Sequence, residues 1–140
     1  MMVRFYAFRM PLIALATLCL LSSAVASRAE ETASLGVESA TICRDVVARE
    51  PVGSGTLFPA SAGRLCCFTK IINIQSPTEV THVWYYGDTE RARVTLPVSP
   101  PSWRTYSSKI IQPHEMGIWY VDVLGPGGSR LSSVTFEITQ

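Results

Sequence analysis

The sequence predicts an all-β fold: a single antiparallel two-layer sandwich of immunoglobulin-like type, with a small closed barrel as the alternative. Three observations carry this expectation. From about residue 39 onward, apolar and polar residues alternate in short runs, the period of two that marks half-buried strands. Gly and Pro clusters interrupt those runs roughly every ten residues, the spacing of turns in sandwiches. No window sustains the 3.6-residue period of an amphipathic helix.

The N-terminus is set apart from this pattern. Arg4 and Arg9 precede an apolar run from Pro11 to Leu21, and Ser22-Ser23-Ala24-Val25-Ala26 follows it. A charged start, a short apolar stretch and an A-x-A site predict a secretory signal peptide over residues 1–26. Eleven apolar residues are too few for the about 20 that a spanning helix needs. Cys19 lies inside the run behind Leu18, where a lipoprotein signal needs a small residue. The expected location is therefore the periplasm or the exterior, with no membrane span after cleavage.

Cleavage after Ala26 leaves 114 residues with ten Lys+Arg against eleven Asp+Glu, a net charge of −1. That balance excludes an overall electrostatic attraction to nucleic acid or anionic membrane, which requires a basic excess or a dense basic cluster. The length suits one domain with an adequate core. Residues 27–38 are polar, small or acidic without period and read as a flexible leader; residues 39–140 form the domain.

Within it, Ala40 to Arg49, Arg64 to Gln75 and Thr78 to Tyr86 supply three strands, and Val52 to Gly63, with three Gly and one Pro, reads as a long surface loop. Glu90 to Val98 is the clearest strand, with Ala92, Val94, Leu96 and Val98 on one face and Arg91, Arg93 and Thr95 on the other. Trp103 to Lys109 is a further short strand after the rigid Pro100-Pro101. Two last runs place Trp119, Val121 and Val123, then Val134, Phe136 and Ile138, on the core side, and Gly125-Pro126-Gly127-Gly128 joins them as a hairpin.

The mature chain holds Cys43, Cys66 and Cys67, in a compartment that permits oxidation. Neighbouring strand residues point to opposite faces, which disfavours a Cys66–Cys67 bridge. If Ile42, Val46 and Ala48 are the inward set of one strand and Phe68, Ile72 and Ile74 that of the next, Cys43 and Cys67 share the outer face. They are the expected disulfide, worth about 3 kcal/mol by loop closure, and Cys66 is a buried thiol. No C-x-x-C or H-x-x-x-H spacing points to a metal site, and no cofactor is implied.

Candidate binding residues lie in two places. A two-residue type II′ turn at Gly87-Asp88 pairs Trp84 with Arg91 and His82 with Arg93, putting His82 and Trp84 on the outer face. There a Trp beside cations offers a cation-π platform, the alternative being that Trp84 belongs to the core. The segment Trp103-Arg104-Thr105-Tyr106-Ser107-Ser108-Lys109 brings aromatics, cations and hydroxyls together. Alternation separates Trp103, Thr105, Ser107 and Lys109 from Arg104, Tyr106 and Ser108. Such residues suit a sugar ring or an anion, or simply cap the core edge and satisfy loop groups.

Five short motifs resemble a known family. They are Arg49-Glu50-Pro51-Val52, Cys67-Phe68-Thr69-Lys70, Thr81-His82-Val83-Trp84-Tyr85, Trp103 to Lys109, and Gly117-Ile118-Trp119. The family is number 2914 of the bacterial domains of unknown function, and the likeness spans about residues 39 to 139. It implies an extracytoplasmic β-rich domain and lends no catalytic residue. It also implies cysteines at positions 43 and 67, with position 66 commonly aromatic.

The function expected from these readings is a non-catalytic binding or accessory module of the cell envelope, with an envelope protein or a glycan as partner. A glycan-binding module using Trp84, Trp103, Arg104 and Tyr106 is the alternative. A Ser-dependent hydrolase is third, using Ser107 or Ser108 with Lys109 or His114; no G-x-S-x-G elbow and no Ser-x-x-Lys spacing supports it.

Overall fold

Strand follows strand through residues 34–140, the part of the chain that this computed structural model describes. The predicted signal peptide and residues 27–33 of the leader lie outside the described residues. The strands are β1 (Gly36–Cys43), β2 (Asp45–Val47), β3 (Glu50–Val52), β4 (Leu57–Pro59), β5 (Arg64–Ile72), β6 (Thr78–Tyr86), β7 (Thr89–Val98), β8 (Trp103–Ile110), β9 (Gly117–Leu124) and β10 (Arg130–Thr139). One 3-10 turn, Ala60–Ala62, is the only helical element among the described residues.

Two main sheets result, ordered β1-β5-β8 and β4-β10-β9-β6-β7, with β2-β3 as a separate hairpin. The fold is all-β, and the sheets do not close into the barrel that was the alternative. Their facing sides share a core. Ile42, Leu65 and Cys67 from the smaller sheet meet Trp84, Trp119, Val121, Phe136 and Ile138 from the larger. Ile71 packs with Val80, Val98 and Val123 toward the other end. Phe136 is the aromatic hub, with Trp84 and Phe58 edge-on at 6.1 and 6.2 Å and Trp119 stacked at 6.0 Å.

The alternation of β7, β9 and β10 matches the sequence pattern, because these strands have one face on the core and one in solvent. Four expectations change. The strand β1 starts at Gly36, inside the stretch read as leader. The loop from Val52 to Gly63 contains β4, which pairs in parallel with β10 and buries Phe58 against Phe136. A three-residue strand is too short to show a period, so only its apolar Leu-Phe could have marked it.

The third change concerns the β6–β7 hairpin. Its two-residue turn is present, with Gly87 at φ 54°, but the register slips between Trp84 and Tyr85. One extra residue on β7 pairs Trp84 with Ala92 and His82 with Val94. The bulge turns both side chains inward, and both are fully buried.

The fourth concerns β5, whose inward set is Leu65, Cys67, Thr69 and Ile71. The β2–β3 hairpin folds back over the outer face of the smaller sheet. There Val46 covers Cys43, Cys66 and Phe68. Phe68 is therefore buried on the outer side, and Ile74 regains the core only after Asn73 takes a left-handed conformation (φ 58°). The Cys43–Cys67 pairing is corrected accordingly: Cys67 faces Trp84 and the core, opposite Ile42, while Cys43 lies beneath the hairpin opposite Cys66. All three are free thiols.

Candidate ligand-binding face

The outer side of β8 carries Arg104, Tyr106 and Ser108, all exposed, whereas Ser107 is buried on the core side and Thr105 is half-buried. Trp103 opens the strand at 38% exposure, so it lies at the rim and not inside. Next to β8, β5 sets Lys70 opposite Arg104 and Phe68 opposite Tyr106. Two cations directly across a ladder repel. Here each has its own carboxylate, Lys70 with Glu38 of β1 at 2.6 Å and Arg104 with Glu50 of β3.

The β2–β3 hairpin completes the face. Its two turn residues, Ala48 and Arg49, have φ of 50° and 63°, the left-handed pair that a two-residue type I′ turn demands. The tight turn holds Arg49 beside β8. Two adjoining open depressions of about 300 and 370 Å3 result. Val46, Phe68, Thr105 and Tyr106 line the first, Lys70, Pro100, Ser102 and Trp103 the second, and Arg49 and Arg104 belong to both. Arg49 has no ion pair among the described residues, and Glu38 and Glu50 answer the other two cations.

The remaining residues singled out in the sequence are elsewhere. His82 and Trp84 sit in the interior, where they build a polar chain with Ser107 and Thr69. The Trp84 indole N–H donates to Ser107 Oγ at 3.0 Å, and the Ser107 hydroxyl donates to His82 Nδ1 at 2.7 Å. His82 Nε2–H then donates to Thr69 Oγ1 at 3.1 Å, whose hydroxyl donates to the Thr105 carbonyl at 3.4 Å. Every buried member has a partner, as the low-dielectric interior requires. Burial lowers the His82 pKa from 6.5 to about 4, so the imidazole is neutral.

A Ser–His contact is thus present without the access that nucleophilic catalysis needs, since Ser107 is 4% and His82 0% exposed. Lys109 Nζ donates to the Ile110 carbonyl at the far end of β8, and His114 is exposed in the loop before β9. Among the described residues, neither side chain hydrogen-bonds to Ser107 or Ser108. Among the described residues, no group of three or more His, Cys, Asp or Glu side chains is placed to hold a metal ion.

The structure therefore joins Trp103, Arg104 and Tyr106 to Arg49 and Lys70, which sequence reasoning did not select. Both lie in quoted motifs, Arg49-Glu50-Pro51-Val52 and Cys67-Phe68-Thr69-Lys70. What the sequence lacks is the cross-strand register that brings them beside β8. No curated protein matches the chain. The family model described as "Protein of unknown function (DUF2914)" matches residues 77–138, from β6 to near the end of β10. The chain resembles that family over the stretch that carries Trp103, Arg104 and Tyr106, while Arg49 and Lys70 lie upstream of it.

Proposed function

We propose that this is a non-catalytic binding module of immunoglobulin-like sandwich type, acting outside the cytoplasm on an acidic component of the cell envelope. The observation that carries the reading is Arg49, unpaired among the described residues, standing between two depressions with Arg104 and two exposed aromatics beside it. A guanidinium presents several donors in a fixed fork suited to carboxylate, sulfate or phosphate. The N-terminal A-x-A pattern supports the extracytoplasmic site. Burial of the Ser107–His82 contact supports the non-catalytic reading.

A glycan is the second reading, favoured by Trp103 and Tyr106, which are 38% and 46% exposed and give faces on which a sugar ring can stack. Trp84 has no part in it. The test is retention from an envelope extract and on an immobilised uronic-acid polysaccharide, comparing the wild type with Arg49→Ala and with Trp103→Ala plus Arg104→Ala. Both variants should keep the wild-type melting profile and lose retention. Unchanged retention in both would make the face mere scaffold; retention lost only from the extract would favour a protein partner over a glycan.

A further inference from the structure

The outer side of the smaller sheet hides two thiols that no function above uses. Cys43 and Cys66 are directly opposed in the antiparallel β1–β5 ladder, and both are fully buried. Opposed residues of such a ladder have Cα atoms about 4.5–5.5 Å apart, within the roughly 4.4–6.8 Å that a disulfide spans. Both side chains leave the sheet on the same face, because they pack together with Phe68 under Val46 of the β2–β3 hairpin. Cys43 Sγ already reaches across to the Cys66 carbonyl at 3.8 Å. Cys67, one residue on, points through the sheet into the core against Ile42 and Trp84.

We propose that Cys43 and Cys66 form a dithiol/disulfide pair that closes across the β1–β5 ladder, with Cys67 excluded from it. The oxidant is a small-molecule or protein disulfide, reached when the β2–β3 hairpin lifts. Cys66 attacks first, since the Arg64 guanidinium beside it favours its thiolate against the burial that raises its pKa. Its thiolate attacks one sulfur of the oxidant and releases the first thiol. Cys43, having given up its proton, then attacks Cys66 Sγ and expels the second. Two electrons pass from the two cysteines to the oxidant, and one disulfide is exchanged for another.

The closed bridge lies beneath Val46 and beside Phe68, both of which also line the first depression. The redox state of the pair thus sets how firmly the hairpin bearing Arg49 is rooted.

The test uses the protein with Cys19→Ser, so that three thiols are counted. It is treated with glutathione disulfide in two arms, folded and during refolding from urea. Remaining thiols are alkylated in denaturant and the unreduced digest is read by fragmentation mass spectrometry. The expected product has Cys43 joined to Cys66 with Cys67 alone alkylated, and a thermal midpoint raised by about 10 °C over the reduced form. Cys67→Ala should keep the bridge and Cys66→Ala should lose it. Three alkylated cysteines in both arms, or a bridge that survives Cys66→Ala, would overturn the proposal.

Discussion

His82 shows how one residue's chemistry depends on its surroundings. Its folded pKa of about 4 lies below the ordinary 6.5 because burial opposes the charged form. The unfolded chain therefore binds this proton at higher pH than the folded one. The neutral-His contribution is complete above pH 6.5 and is lost as pH falls toward 4. The full loss is about 3 kcal/mol, the shift converted at 1.36 kcal/mol per unit. Urea midpoints taken between pH 7 and 4.5 should fall steeply for the wild type and less for His82→Gln. Ser107→Ala should cost about 1–3 kcal/mol at pH 7, because it leaves the Trp84 N–H and His82 Nδ1 without their partner. Exposed Arg104→Ala should leave that midpoint unchanged, so the two inward and outward neighbours on β8 separate stability from binding.

At the scale of the element, the β2–β3 hairpin combines strain with position. Ala48 and Arg49 both occupy the left-handed region, where residues with a Cβ are disfavoured. Replacing them with Asn-Gly, the preferred type I′ pair, should raise stability by about 1 kcal/mol in urea titration. The same double change removes the Arg49 guanidinium and should abolish ligand retention, so stability and binding move in opposite directions. The strand β4 makes the converse point. Phe58→Ala should cost about 3–5 kcal/mol, read as a lowered urea midpoint, although Phe58 lies in a segment whose sequence looks like loop.

Across the whole molecule, the two sheets contribute side chains to the same two core clusters, so the interior between them is shared. Unfolding should be one cooperative transition, with far-ultraviolet circular dichroism and the near-ultraviolet signal of Trp84 and Trp119 changing together. Separated midpoints would show that the sheets come apart before they unfold. One end of the larger sheet carries a buried carboxylate, Glu115, which accepts the Gln112 N–H at 2.8 Å. The Arg91 guanidinium is 2.5 Å from its Oε2 as an ion pair, without hydrogen-bond alignment. Arg91 also lies over Tyr86 and Trp119 at 5.9 and 5.8 Å. The bulge that turned Trp84 inward is what gives this extra residue of β7 its place.

Most strands were legible in the sequence by themselves, because alternation is a local property: Ala92, Val94 and Leu96, or Trp119, Val121 and Val123, show a half-buried strand without reference to any neighbour. The turn at Gly87-Asp88 and the shared face of Arg104 and Tyr106, opposite that of Ser107, follow from the same local rules. Which face is the inner one was decided only by tertiary structure. Phe68 and Cys66 look like core in sequence and are buried, yet on the outer side, because a hairpin distant in register covers them. His82 and Trp84 crossed to the interior through a single bulge. Arg49 and Lys70 joined Trp103, Arg104 and Tyr106 because pairing register is set by contacts between strands. A period of two tells which residues share a face, but only the neighbour packed against that face tells whether it meets core, cover or water.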